Sequence, residues 1–224
     1  MRPLEVIDLG RMRYADALEM QSGLVEQRKR GEGQDTLLFV EHPHVITAGR
    51  NGKPQHLLAS PEILERTGIE FFETDRGGDM TYHGPGQIVG YPILDLREWK
   101  RDVHAFFHGV EQALIDALAI LGIQAGRMAQ RGFEGVWVGD AKVAAIGIHI
   151  SRWITSHGFA LNLDTDLNYF KYIVPCGLTE PVCSLRSLGW AGTRDEVLNA
   201  ISASFANIFD FQVQFAHREL QEIR

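Results

Sequence analysis

The sequence predicts an α+β fold in which helices flank a mixed sheet. Helical and strand-like segments follow one another without the regular alternation that a doubly wound parallel sheet would give. The chain has 224 residues, of which 45% are hydrophobic and 23% are charged, as is typical of globular proteins. We therefore expect a single domain spanning residues 1–224, with no internal repeat or linker.

Three segments have helical signals. Residues 11–30 predict the first helix, with one apolar stripe formed by Tyr14, Leu18, Leu24 and Val25. A second helix is expected over 103–121, with Asp102 as its N-cap and Gly122 as a left-handed stop. The segment Thr193-Arg194-Asp195-Glu196 is a capping box that predicts the start of a final helix.

The predicted strands are short runs rich in β-branched and aromatic residues. Two of them lie at 36–40 and 158–163. A third candidate covers 86–96, where Pro92 favours an edge strand or a bulge because it has no N–H for the ladder. Residues 136–150 predict a hairpin, because Gly139-Asp140 is a favoured two-residue turn.

Charge and cysteine content exclude several classes of protein. The formal net charge of −7 disfavours general nucleic-acid binding, which needs a basic face. Two cysteines do not form a disulfide framework and suit a reducing compartment. No uncharged apolar stretch is long enough to span a bilayer, and the N-terminal residues do not resemble a signal peptide. We expect a cytoplasmic protein without nucleic-acid or membrane partners.

Two separated segments carry the functional signal. The stretch from Arg76 to Gln87 holds five glycines or prolines in twelve positions, which lets backbone approach a ligand closely. Far downstream, Cys176 lies between Pro175 and Gly177. A ligand-clamping loop together with a remote cysteine favours an enzyme with a sulfur nucleophile.

Cys176 and Lys142 are the candidate catalytic residues. A cysteine suits acyl transfer from a thioester, and a nearby cation would raise the thiolate fraction above that of a free thiol with a pKa of about 8.5. Lys142 follows the Gly139-Asp140 turn and begins an apolar strand, where it would be partly removed from water. From the residues alone, Cys176 could equally be a small buried hydrophobe, and Lys142 a surface lysine. Cys183 is expected to be a buried structural thiol.

Other polar residues give weaker signals. His83 and His157 both adjoin glycine, and we favour a structural or ligand-shaping role over acid–base chemistry for each. The segment Glu41-His42-Pro43-His44 matches no zinc-binding pattern, and no nucleotide-binding motif is present. We therefore expect neither a metal nor a cofactor.

Together these motifs resemble the lipoyl(octanoyl) transferase family over nearly the whole chain. The matching segments occur in the family's order: Glu41-His42-Pro43, Gly49-Arg50, Arg76-Gly77-Gly78, Thr81 to Gln87, Lys142, Ala145-Ile146-Gly147, His157 to Asn162 and Pro175-Cys176-Gly177. Each alone is weak, but all of them in order are specific. The resemblance implies the fold of the catalytic domain of biotin and lipoate protein ligases.

The resemblance also implies a reaction and a site. Octanoyl would move from octanoyl-acyl carrier protein, through a thioester on Cys176 that Lys142 activates, to a lysine of a lipoyl domain. The acceptors implied are E2 subunits of 2-oxoacid dehydrogenases and the glycine cleavage H protein, in the first step of protein lipoylation. The implied acyl contacts are Arg76, Gly77, Gly78, Asp79, Met80, Thr81, Tyr82, His83, Ala145, Ile146, Gly147, Gly158, Phe159 and Ala160.

Three rival functions remain open at this stage. The nearest is an ATP-dependent lipoate or octanoate protein ligase of the same fold, which would need no cysteine nucleophile. The others are a non-catalytic acyl-binding module and a cysteine hydrolase that releases free octanoate. A chain of net charge −7 that meets an acidic carrier protein also requires a local basic docking patch, which the sequence does not locate.

Overall fold

The structure, a computed structural model, describes residues 1–128, 134–174 and 181–216. The strands are β1 (Arg2–Arg11), β2 (Asp35–Glu41), β3 (Val45–Ala48), β4 (Glu70–Glu73), β5 (Met80–His83), β6 (Gln87–Ile93), β7 (Val136–Val138), β8 (Ala141–Ser151), β9 (Ile154–Asn162) and β10 (Phe211–Phe215). The α-helices are α1 (Tyr14–Lys29), α2 (Pro61–Thr67), α3 (Val103–Ile120) and α4 (Arg194–Phe209). Short 3₁₀ helices lie at Pro54–His56, Leu96–Glu98 and Leu167–Tyr172.

The strands form two sheets. The large sheet has seven strands in the order β10-β1-β2-β6-β9-β8-β7, and the small sheet has three in the order β4-β3-β5. In the large sheet β1 runs parallel to both β10 and β2, whereas the remaining pairs are antiparallel. The predicted mixed sheet is therefore confirmed.

Caps confirm the predicted boundaries of α3 and the start of α4, whereas α1 begins later than predicted because Arg11 still belongs to β1. The Asp102 carboxylate accepts a hydrogen bond from the Ala105 N–H at 3.0 Å, and Gly122 has the expected positive φ of 79°. At the start of α4, the Thr193 N–H donates to the Glu196 carboxylate at 2.6 Å while the Thr193 hydroxyl accepts from the Glu196 N–H. Within the described ranges, no helix is long and apolar enough to cross a membrane.

The two faces of the large sheet bury different cores. On one face α3 and α4 pack through residues such as Phe106 and Phe205. On the other, α1 packs through Ala17 and Val25 against β1, β2 and β6. A third core, which includes Met80, lies on the small sheet. The small sheet is therefore a separate layer, and the space where it meets the large sheet forms the site described below.

Pro92 was expected in an edge strand or at a bulge; it lies in an internal strand, so the edge alternative is wrong. Its strand β6 has β2 on one side and β9 on the other. The β6–β9 ladder continues as far as Gly90 and Phe159, and two residues further on Pro92 falls opposite His157. The His157 N–H donates instead to the Gln21 side chain at 3.0 Å, and His157 has a positive φ of 55°. The β6–β9 ladder is therefore interrupted at Pro92, whose carbonyl accepts a hydrogen bond from the Thr155 hydroxyl at 2.6 Å.

Candidate functional site

A cleft, here called the central cavity, lies between the two sheets. It includes about 460 Å³ of space not filled by atoms, part of it open to solvent. Its lining consists of Tyr14, Arg76, Gly78, Thr81, His83, Val89, Tyr91, Ala145, Ile146, Gly147, His157, Gly158, Phe159 and Ala160. Strands β6, β8 and β9 form the floor, and residues 76–78 with β5 form the roof.

Small residues on the floor create this space. Ala145 pairs with Ala160, and Gly147 pairs with Gly158, across β8 and β9. A Cβ atom at Gly147 would lie 2.9 Å from the Gly77 carbonyl oxygen, so only glycine lets the roof come this close. The Gly77 N–H donates to the Ile148 carbonyl at 2.9 Å and ties the roof to β8.

Arg76 holds the roof from within. It is buried, and its guanidinium donates to the Thr47 carbonyl at 2.6 Å, the Thr47 hydroxyl at 3.0 Å, the Asp79 carbonyl at 2.7 Å and the Gly77 carbonyl at 2.9 Å. These bonds join the roof to β3 of the small sheet. The side chain thus lines the central cavity while its hydrogen bonds organise the loop.

Asp75 fixes the other side of the roof. Its carboxylate lies 2.7 Å from His157 Nε2 and 3.3 Å from His149 Nε2, so one acid contacts two histidines of the large sheet. Burial lowers the pKa of His157 more than Asp75 raises it. Burial raises the pKa of Asp75, but the hydrogen bond with His157 and the nearby histidine charges outweigh it, and the net shift is downward.

His83 belongs to a buried chain of hydrogen bonds. Its Nδ1 lies 2.8 Å from the Gln87 side-chain oxygen, and the Gln87 amide donates to the Asn162 side chain at 3.0 Å. The Asn162 amide donates in turn to the Cys183 carbonyl at 3.0 Å. Burial lowers the pKa of His83 to about 3, so the ring is neutral near pH 7. The hydrogen bonds therefore hold a neutral ring in place at the cavity.

Lys142 lines a second space, the lysine cavity, which includes about 350 Å³ not filled by atoms, part of it open to solvent. This cavity shares Thr81, Ala145 and Ala160 with the central cavity, so the two adjoin each other. Lys142 is only 8% exposed, and its Nζ lies 4.9 Å from the centre of the Trp137 ring. It is therefore not a surface lysine.

Cys176, with Pro175 and Gly177, lies outside the described residues. The described chain is anchored on either side of this segment. The Val174 N–H donates to the His56 carbonyl at 2.8 Å, and the Pro181 carbonyl accepts from the Lys142 N–H at 2.9 Å. Cys183 is buried as predicted, and burial raises its pKa to about 11, which makes it a poor nucleophile.

The predicted contacts on the glycine-rich segment divide into two groups. Met80–His83 is a strand rather than a loop, and Met80 and Tyr82 pack in the core of the small sheet. Gly77, Gly78 and Asp79 line an outer groove that meets the central cavity at Gly78, Ile146 and Gly147. The Asp79 carboxylate binds His56 at 2.5 Å and so supports the loop.

Comparison with known proteins identifies the family. Residues 13–206 match the family model of the lipoyl protein ligase A/B catalytic domain. An octanoyltransferase from Solibacter usitatus is 60% identical over 95% of this chain and 96% of its own length. One from Koribacter versatilis is 50% identical over 94% of this chain and 86% of its own length. The chain belongs to the octanoyltransferase family. Its enzymatic activity is therefore that of a lipoyl(octanoyl) transferase.

Solved structures show that octanoyltransferases share their fold with ligases. A bi-partite lipoate protein ligase from Thermoplasma acidophilum aligns with a TM-score of 0.75 at 16% identity, over 97% of this chain and 89% of the other. A biotin protein ligase from Aquifex aeolicus aligns with a TM-score of 0.53 at 12% identity, over 94% and 70%. At this identity the likeness concerns the fold alone, and it confirms the architecture expected from the resemblance.

Several residues of this octanoyltransferase site carry no clear sequence signal. Tyr14, Val89 and Tyr91 line the central cavity but read as ordinary core positions of a helix and a strand. Gln87 and Asn162 line the lysine cavity. Both residues belong to segments that match the family's motifs, and this match was the only sequence signal for their place in the site.

The Glu41-His42-Pro43-His44 segment serves the structure of the octanoyltransferase fold. The Glu41 carboxylate accepts a hydrogen bond from the Gly86 N–H at 3.1 Å, and His44 Nδ1 lies 2.7 Å from the Tyr82 hydroxyl. Among the residues that the structure describes, no group of three or more His, Cys, Asp and Glu side chains is arranged to hold a metal ion.

Proposed function

We propose that this enzyme transfers octanoyl from octanoyl-acyl carrier protein to a lipoyl-domain lysine through a thioester on Cys176. The observation that supports the proposal is that a largely apolar cavity adjoins the cavity lined by Lys142. An acyl chain bound in the central cavity would direct its carbonyl carbon toward the lysine cavity, where the acyl transfer would take place. The family's activity supplies the acyl group, and the Pro175-Cys176-Gly177 motif supplies the nucleophile.

The reaction has two acyl transfers. In the first, the Cys176 thiolate attacks the carbonyl carbon of the donor thioester, a new C–S bond forms, and the carrier's phosphopantetheine thiol leaves and takes up a proton. In the second, the acceptor amine attacks the acyl-enzyme carbonyl, the C–N bond forms, the C–S bond breaks, and the nitrogen loses a proton. A covalent intermediate divides one difficult step into two easier ones.

Lys142 would serve either half of this reaction. As a cation it stabilises the thiolate, and as a base it takes the proton from the incoming amine. Its backbone is held on both sides, because its N–H bonds to the Pro181 carbonyl and its carbonyl accepts from the Cys183 N–H at 3.0 Å. The same strand pairing therefore connects Lys142 to the chain that follows Cys176. A Lys142→Arg variant separates the roles, since arginine keeps the charge but does not act as a base.

The octanoyl chain occupies the central cavity in this proposal. Its contacts are the floor residues Ala145, Ile146, Gly147, Gly158, Phe159 and Ala160, and the roof residues Arg76, Gly78, Thr81 and His83. Gly77 and Asp79 would border the outer groove, where the donor's arm enters. Each methylene removed from water contributes about 0.8 kcal/mol to binding, so the floor and roof together account for most of the acyl affinity.

The partners follow from the same chemistry. The donor is octanoyl-acyl carrier protein, and the acceptors are lipoyl domains of 2-oxoacid dehydrogenase E2 subunits and the glycine cleavage H protein. We include in the proposal one catalytic domain over residues 1–224 and a cytoplasmic location, which two cysteines outside any disulfide framework favour. A basic docking patch for the acidic carrier would make the donor's KM rise with salt.

The rival function is an ATP-dependent ligase, since ligases share the fold. The named relatives, 44–60% identical, are octanoyltransferases, which favours transfer from a thioester. Adenylate formation would leave no role for Cys176. The requirement for ATP therefore distinguishes the two functions.

The test is a transfer assay with octanoyl-acyl carrier protein and an apo lipoyl domain, run without ATP. We expect octanoylation of the lipoyl domain by the wild type and loss of at least about a thousandfold in Cys176→Ser, since removal of a covalent nucleophile costs on that order. Cys183→Ser is the matched control, because Cys183 is the chain's other cysteine, and it should retain transfer. Transfer that needs octanoate and ATP, or that survives in Cys176→Ser, would overturn the proposal.

A further inference from the structure

The two cavities are stacked along the strands of the large sheet. On β9 the lining runs from Asn162 in the lysine cavity, through the shared Ala160, to Gly158 in the central cavity. On β6 it runs in the same direction from Gln87 to Tyr91. A chain that starts at Lys142 and follows these strands therefore extends toward Gly158 and Tyr91.

Tyr91 stands at the far end of this path. It is 3% exposed, and its hydroxyl lies 2.8 Å from His42 Nε2. His42 Nδ1 lies 2.8 Å from the Met12 carbonyl, which accepts only, so Nδ1 carries the proton and Nε2 accepts from the Tyr91 hydroxyl. His42 is completely buried, and the Tyr14 ring packs against it at 5.3 Å.

The Tyr91 ring is therefore held at both ends. Its backbone pairs with Leu38 on the internal strand β2, and its hydroxyl is bound to a histidine that is itself fixed. A side chain with these constraints does not change its position when a ligand binds. Ile146 is less constrained, because it is partly exposed and lines both the central cavity and the outer groove.

We propose that Tyr91, locked by His42, is the stop that sets the length of the acyl chain this enzyme accepts. The inference rests on the proposed function, because it takes the acyl carbonyl to lie at the Lys142 end. Tyr91 belongs to a buried apolar core that includes Ile7, Leu38 and Ile93. Shortening Tyr91 therefore lengthens the cavity into apolar surroundings, which favours longer acyl chains.

The experiment compares octanoyl and decanoyl donors by the ratio of their kcat/KM values. In Tyr91→Ala the decanoyl-to-octanoyl ratio should rise about fifteenfold, since each additional buried methylene is worth about fourfold. In Tyr91→Leu, which keeps most of the volume and the fold, the rise should be about fourfold. Tyr91→Phe keeps the ring and should change the ratio by less than about twofold.

Phe39→Leu is the matched control. Phe39 is a fully buried aromatic residue of β2, the strand that pairs with the strand of Tyr91, but its ring packs in the core beneath α3 and α4 on the opposite face of the large sheet. Its decanoyl-to-octanoyl ratio should equal that of the wild type. An unchanged ratio in folded Tyr91→Leu and Tyr91→Ala, or the same rise in Phe39→Leu, would overturn the proposal.

A second readout separates this inference from the proposed function. Dissociation constants of octanoic and decanoic acid, measured by calorimetry without donor, acceptor or ATP, should show the same shift toward decanoic acid in the Tyr91 variants. If that shift appears while the wild type transfers no octanoyl, the stop stands and the proposed reaction fails. If transfer occurs but neither ratio responds to Tyr91, the stop fails alone.

Discussion

Gly147→Ala should show that the approach of the roof to β8 is set by a missing side chain. The added Cβ would lie 2.9 Å from the Gly77 carbonyl oxygen and 3.2 Å from Arg76 Cδ. The first neighbour is backbone, so the roof must retreat, and the 2.9 Å bond from the Gly77 N–H to the Ile148 carbonyl weakens. Overpacking costs about 1–3 kcal/mol and the hydrogen bond about 1 kcal/mol, so we expect a loss of about 2–4 kcal/mol in the free energy of unfolding.

Urea unfolding and octanoic acid binding together measure this effect. The matched control is Gly23→Ala, because Gly23 is exposed within α1 and an added Cβ there meets nothing within 4 Å. That variant should gain about 0.5–1 kcal/mol from helix propensity and should bind octanoic acid normally. The reasoning is refuted if Gly147→Ala unfolds within about 0.5 kcal/mol of the wild type and binds octanoic acid equally well.

Three further predictions concern groups around the site. Asp75→Asn should lower the free energy of unfolding by about 1 kcal/mol, since a charged acceptor for His157 is lost; urea unfolding with no change would contradict this. His42 should stay neutral down to about pH 4, because burial lowers its pKa to about 4. Its contribution to stability is then fully present above the unfolded pKa of about 6.5 and lost as the pH falls toward 4. An NMR titration midpoint near 6.5 would be the contrary result. In Cys176→Ser, the remaining thiol of Cys183 should resist iodoacetamide at pH 8 until the chain is unfolded, because burial raises its pKa to about 11, whereas rapid labelling of folded protein would show an accessible thiolate.

Elements with local signals were predictable from the sequence. The caps at Asp102 and Thr193 and the Gly139-Asp140 turn act within a few residues, and the corresponding helices and hairpin are present. The parallel pairing of β1 with β10 joins the two ends of the described chain, and no local pattern announces it. The small sheet was missed for a related reason: β5 falls within a glycine-rich motif, and β4 alternates between exposed and half-buried residues.

The site was predictable only where its residues belong to the family's motifs. The resemblance implied Ala145, Gly147 and Gly158 as acyl contacts, and the structure brings these residues together on the floor of the central cavity. Tyr14 and Tyr91 could not be found this way, because a side chain that faces a cavity and one that faces the core follow the same periodicity. Whether a residue faces the cavity or the core depends on how the small sheet packs against the large sheet, and that packing involves residues far apart in the sequence.

The measurement that tests the central claim most directly is intact-protein mass spectrometry of the enzyme mixed with octanoyl-acyl carrier protein alone. The account predicts one octanoyl adduct that hydroxylamine removes, that maps to Cys176, and that disappears when an apo lipoyl domain is added, as the domain gains the same mass. No adduct on the enzyme, with octanoylation of the lipoyl domain appearing only when octanoate and ATP are supplied, would contradict it.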